Sequence, residues 1–269
     1  MLNSSHFLSG LYLGVRARYL QLAAFSLVFL VVSSLLSAMF SGRQSVALAL
    51  DVGISVIRLV IPLIIALLAQ ELISREFERR YFLNSLTYPR PRQSFLVGRF
   101  FSILALSVFL LLAMALLLGL VVCWVANIYS SVSAVDLGFS YFVVVGFIAL
   151  DLLQLTAVAC LLSVLASTPS FVLIGTFGFM LVARSYSAMH DLVTRDAGLV
   201  GYAEGYRTSL GVLGYFFPDL GALDLRMMAI YGRPEFLPVD WPWLLLSSVG
   251  YSLTLIALAV LALQRKNFA

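Results

Sequence analysis

Lysine is nearly missing from this chain. Of its 17 basic residues only Lys266 is a lysine, three residues from the end. A phosphate-binding loop of the GxxxxGK[ST] type needs a lysine after glycine to reach the phosphates, so the chain can hold no such loop. Charge of either sign is also scarce, at 11% of 269 residues, where a soluble domain carries about 25%. Histidine is limited to His6 and His190, both outside the cores of the apolar runs. There is no HExxH and no GxGD motif. No set of nucleophile, base and orienting residue can be assembled, which argues against a catalytic site and against a membrane enzyme such as an intramembrane protease. The two cysteines, Cys123 and Cys160, lie in different apolar runs with no CxxC or Cys/His spacing. They read as apolar packing residues and not as metal ligands. The net charge of +4 is too small to point to nucleic acid. Low-complexity segments and internal repeats are missing as well.

Apolar residues fill the space these absences leave. They make up 62% of the chain, more than a water-soluble fold can hide, so part of the solvent must be lipid. Crossing a bilayer takes about 20 apolar residues. Six runs qualify, at 20–40, 52–72, 95–126, 138–166, 171–189 and 241–263. The expectation is an all-α integral membrane protein with six transmembrane helices in a single domain over 1–269. The third and fourth runs are long, so they tilt or extend beyond the bilayer. Residues 1–19 do not resemble a signal peptide, because Arg16 and Arg18 follow the apolar patch and no small-residue cleavage site closes it. Phe7, Leu8, Leu11, Tyr12 and Val15 recur at helical spacing and suit an interfacial helix, with a frayed tail as the plainer reading.

Arginine sets the orientation. Ten basic residues fall on one side of the spans: Arg16 and Arg18, then Arg75, Arg79, Arg80, Arg90, Arg92 and Arg99, then Arg265 and Lys266. Five fall on the other: Arg43, Arg195, Arg207, Arg226 and Arg233. Both termini and the 71–92 loop are therefore expected in the cytoplasm. The 190–240 segment is expected outside. It carries seven acids against four arginines, with aromatic and apolar residues that a solvated linker would not need. Short helices lying on or dipping into the outer face are the expectation, punctuated by Pro218, Pro234, Pro238 and Pro242. Trp241 and Trp243 mark the interface where the last span begins.

The most charged piece is residues 70–100. Glu71 and Arg75, and Glu76 and Arg80, are spaced i, i+4, and Glu76 and Arg79 i, i+3, which supports a helix leaving the second span. Glu78 adds a further acid. Tyr81, Phe82, Leu83 and Leu86 then give an apolar face, and Pro89 and Pro91 stop it. An apolar helix face outside the bilayer calls for a partner groove, although an ordinary basic loop would also satisfy the charge rule.

This stretch resembles the coupling region of type-2 ABC exporter permeases. The residues that carry the likeness are Glu76, Glu78, Leu83, Leu86, Pro89, Arg92, Gly98 and Arg99. The chain end, Arg265, Lys266, Asn267 and Phe268, is similar to that family's too. Arg80 and Tyr81 stand where the family commonly has Gly and Thr. The resemblance implies one transmembrane permease domain that exports its cargo, with residues 71–92 as a cytoplasmic coupling helix. Glu71, Glu76, Glu78, Arg79, Arg80, Tyr81, Phe82, Leu83 and Leu86 would then meet a separate cytoplasmic ABC ATPase. ATP and Mg would sit on that partner, with no cofactor in this chain. It also implies a second permease copy, a homodimer in the simplest case, in a bacterial inner membrane. The Phe-, Leu- and Val-rich spans fit an amphiphilic or lipid-like cargo, although any lipid-facing surface looks the same. The alternatives are an ATPase-linked membrane assembly factor or an ion-driven secondary transporter, which would usually show related halves and broken helices.

Three charges fall inside spans: Arg58 in the second, Asp151 in the fourth and Arg184 in the fifth. A charge at that depth costs several kcal/mol and must face protein or water. Either the three line a polar path between permease halves, or Asp151 pairs with Arg58 or Arg184 as a structural lock.

Overall fold

The computed structural model describes residues 4–41, 44–78, 92–128, 137–166, 168–195 and 218–265. Among these residues there is no strand. The long helices are α2 (Leu20–Phe40), α3 (Ser45–Ala69), α5 (Arg92–Ile128), α6 (Phe139–Leu165), α7 (Pro169–Arg195) and α9 (Trp241–Arg265). Shorter ones are α1 (Ser4–Gly14), α4 (Arg75–Glu78) and α8 (Arg226–Tyr231). The six long helices each carry a stretch apolar and long enough to cross a membrane. The chain is an integral membrane protein.

The first three spans and the last are longer than the sequence runs suggested. α3 continues through a wider π-type turn, Gln70–Ser74, so that the second span covers Ser45–Ser74. Asp51, expected just ahead of the span, is thus one of its residues. The apolar stretch of the first span reaches back to Phe7. It is broken at Ala17 and at Arg18, whose φ of 64° lies in the left-handed region that favours glycine. Past the break α1 lies directly on α5. Gly10 makes this approach possible, since a Cβ there would meet the Ser102 Oγ at 2.2 Å. Ser102 Oγ donates to the Phe7 carbonyl at 2.9 Å, and the Tyr19 hydroxyl donates to the Leu106 carbonyl at 2.7 Å.

α3 and α6 form the centre, and buried side chains line both along their whole lengths. α2 packs on α3 through Ser26, Leu30, Ser34 and Ala38, buried at a four-residue spacing. Small residues let two backbones approach closely where lipid gives no hydrophobic push. Gly53 is the answering gap, for a Cβ there would sit 2.2 Å from Leu118 Cδ1 and 3.0 Å from Ser34 Oγ. α9 packs chiefly on α6, and α7 on α6 and α3. The outer flanks of α2, α7 and α9 stay exposed and apolar, with Phe25, Phe29 and Phe40 on α2 and Ile174 on α7.

The 218–240 segment returns to the bundle. Leu220, Leu223, Leu225, Met228 and Ala229 are buried, and α8 packs on α6 and α3. Asp219 Oδ1 accepts from the Ala222 N–H at 3.0 Å and closes the turn that starts it. Burial on this scale makes the segment part of the core and not a linker.

Candidate functional site

Three helices bring buried charge to one level. Arg58 stands 13 residues after the start of α3 at Ser45, Asp151 stands 12 after the start of α6 at Phe139, and Arg184 stands 11 before the end of α7 at Arg195. α3 and α6 pack against each other, and α7 packs on both. Nearly equal offsets along helices of one pitch then put the three side chains in reach.

Asp151 is fully buried. Its Oδ2 accepts from Arg184 Nη2 at 2.5 Å and lies 3.7 Å from Arg58 Nη2. The sequence offered one guanidinium or the other as its partner; it has both. Its Oδ1, and Gln154 Oε1 one turn along α6, have no hydrogen-bond partner among the described residues. Arg58 is itself buried and reaches beyond the spans. Its Nη2 donates to the Leu220 carbonyl at 3.2 Å, and its Nη1 lies 2.6 Å from Asp224 Oδ1. Arg226 continues the chain of charges, to Asp224 at 2.9 Å and Asp51 at 3.2 Å, and to Ser55 Oγ at 3.2 Å. Burial works against the charge on Arg226, but Asp224 and Asp51 outweigh it and raise the affinity for its proton.

Pro62 explains one further contact. A proline has no N–H, so it leaves the carbonyl four residues earlier without its helical donor. Here that carbonyl belongs to Arg58, and Arg184 Nη1 donates to it at 2.8 Å. One arginine thus serves both a carboxylate and a backbone gap. The cluster joins three aspartates to three arginines and is electrically balanced. A cavity of about 390 Å3 lies beside it, lined among others by Arg58, Arg184, Asp224 and Arg226. No protein-family model matches this chain, and no curated protein matches it either.

A second polar group forms where α3, through its π turn, runs into α4. Arg99, buried at the head of α5, pairs with Glu76 of α4, and its guanidinium carbon lies 5.3 Å from the centre of the Phe95 ring. Burial pushes the Glu76 carboxyl up, and Arg99 pulls it back. Arg99 Nε and Nη1 have no partner among the described residues. Glu71 pairs with Arg75 at 2.6 Å, both partly exposed. Glu78 ends α4. Arg79, Arg80, Tyr81, Phe82, Leu83 and Leu86, the remaining residues expected to face a partner, lie outside the described residues. Among the described residues no group of three or more His, Cys, Asp or Glu is gathered to hold a metal ion.

Asp51, Asp224, Arg226 and Pro62 are the members that sequence reasoning missed. Pro62 could have been found, because a proline four residues after a buried arginine frees that arginine's carbonyl. The other three carry no such signal.

Proposed function

We propose that this chain is the transmembrane permease subunit of an ATP-driven exporter, moving an amphiphilic or lipid-like substrate out of the cytoplasm with a separate ATPase. The observation that supports this most is the Glu76–Arg99 pair. These are the acid and the basic residue that bracket the segment similar to a permease coupling region. Pairing them draws the end of the second span and the head of the third together. A force applied to that segment would reach two spans at once.

In this reading the ten-to-five division of basic residues argues that both termini and the 71–92 loop are cytoplasmic. The exposed Leu8, Tyr12, Leu13 and Val15 of the first segment lie in the membrane interface. The exposed apolar flanks of α2 and α7 face lipid or a second permease copy.

Tyr81, Phe82, Leu83 and Leu86 seat in a groove of the ATPase, with Arg79 and Arg80 at the rim. Aromatic anchors dominate such interfaces, and rim charges mainly tune rate and specificity. Phe82→Ala is expected to weaken ATPase association by about 2 kcal/mol or more, and Arg79→Ala by less than about 1. The measurement is co-purification and stimulated ATP turnover with the ATPase subunit. Unchanged association and turnover in the Phe82→Ala, Leu86→Ala double variant would refute the coupling role and leave the segment an ordinary basic loop.

A further inference from the structure

We propose that the cavity beside Arg58 is the binding site for the anionic headgroup of an amphiphile, and that the Asp224 carboxylate holds the headgroup's place while the site is closed. This rests on the exporter reading and names the substrate class.

The walls carry the argument. Arg58, Arg184 and Arg226 line the cavity, and so do Ile54 and Leu59. Its volume of about 390 Å3 lies within the roughly 300–1,000 Å3 of small-molecule sites. Guanidinium forks match the geometry of carboxylate and phosphate oxygens. Leu59 is exposed on the flank of α3, so an alkyl chain can stay on the apolar side while its headgroup enters.

The acids are not equivalent. Asp151 is sealed at the bottom of the cluster, whereas Asp224 is partly exposed and belongs to the return segment instead of a span. Asp224 Oδ1 lies against Arg58 Nη1, which makes no aligned hydrogen bond of its own. With Asp224 withdrawn, three arginines would face only Asp51 and Asp151, leaving one positive charge in excess. An incoming phosphate or carboxylate restores the balance. The exchange swaps one anion for another, so neither state leaves a buried guanidinium without a counter-charge, the costly condition at this depth. Leu223 and Leu225 flank Asp224 and anchor it to the core, so displacement takes a ligand and not thermal fraying alone.

The test uses the full chain in nanodiscs of zwitterionic lipid, without the ATPase. Dodecyl phosphate, dodecyl maltoside and inorganic phosphate are titrated in turn. Dodecyl phosphate is expected to bind saturably and the maltoside not to. Asp224→Asn removes the internal competitor, and dodecyl phosphate should then bind about tenfold tighter. Arg226→Gln should weaken binding about threefold, the size of one exposed ion pair. Arg226 lies at the rim, so this variant decides the matter even where Asp224→Asn does not fold. Unchanged or weaker affinity in Asp224→Asn overturns the proposal, as does an Arg226→Gln variant without effect. Inorganic phosphate binding as tightly as dodecyl phosphate overturns the amphiphile assignment in favour of a free anion. Because no ATPase is present, failure here leaves the Phe82 and Leu86 test standing, and failure of that test leaves this one standing.

Discussion

Arg58 and Arg99 are both buried, one midway along α3 and the other where the second span hands over to the third, and they are satisfied differently. Arg58 meets two carboxylates and a backbone carbonyl drawn from α6 and the return segment. Arg99 meets one carboxylate, and two of its nitrogens find no partner among the described residues. The first group is closed around its shared acids: Asp151 and Asp224 each meet two arginines, Asp51 meets Arg226, and removing a shared acid exposes charge elsewhere. The second is a single brace between two spans, one acid to one arginine. A closed group resists change. A single brace transmits it, because the position of one acid sets the position of one helix head.

The comparison breaks most visibly at Asp151. Asp151→Asn leaves Arg58 and Arg184 facing each other without the carboxylate that joins them. Removing one partner of a buried ion pair costs about 3–5 kcal/mol, and the loss should appear as a large drop in the thermal unfolding temperature of the detergent-solubilised chain. Replacing both partners should be far milder, since no orphaned charge remains. The Asp151→Leu, Arg184→Met double variant is therefore expected to recover most of the stability, with Arg58 retained by Asp224. A double variant as unstable as Asp151→Asn would show that the cluster is not the closed unit described here.

A smaller effect is expected at the brace. Glu76→Gln keeps the shape and removes the charge, at a cost of about 2 kcal/mol, the range of a hydrogen bond to a charged group. It should lower stability less than Asp151→Asn, because it strands one guanidinium where Asp151→Asn strands two. Thermal unfolding of the two variants side by side orders them. Equal losses would mean that both groups are equally enclosed.

The spans were legible because lipid demands about 20 apolar residues in a row, and few other structures produce such runs. Their ends were less so. The second run ends at residue 72, whereas the span reaches Ser74, and the i, i+4 spacing of Glu71 and Arg75 signals the helix that continues past it. The pairing of Asp151 with an arginine was legible too, since a lone buried acid in a membrane has few other options. Choosing between Arg58 and Arg184 was not possible, and the choice did not exist, because Pro62 and the matched helix offsets make one site of both. Asp224 and Arg226 were out of reach. They lie more than 160 residues from Arg58 and Asp51, in a segment without periodicity, and only the fold brings them back. The expected short outer helices of 190–240 rest on aromatic and apolar residues between 202 and 217, which lie outside the described residues; beyond them Leu220, Leu223 and Met228 are buried.

The smallest effect belongs to Arg75, one helical turn before Glu78 at the end of α4. Its partner Glu71 is at 2.6 Å, with side chains 43% and 34% exposed for Arg75 and Glu71. The contact is shorter than the 3.7 Å between Arg58 and Asp151, so distance alone would rank it as the stronger. Water reverses that order. An exposed i, i+4 pair gains little from attraction in a high dielectric and loses side-chain freedom, for a net of about 0.3–0.5 kcal/mol. Arg75→Ala should therefore shift thermal unfolding by less than Glu76→Gln, and the shift should shrink further in high salt, where exposed pairs are screened. The Asp151–Arg184 pair, whose carboxylate is fully buried, should show far less salt dependence. If Arg75→Ala destabilised the chain as much as Glu76→Gln, and salt left that loss unchanged, then Glu71 and Arg75 would belong with the buried brace, and the contrast between exposed and enclosed charge at this end of the bundle would fail.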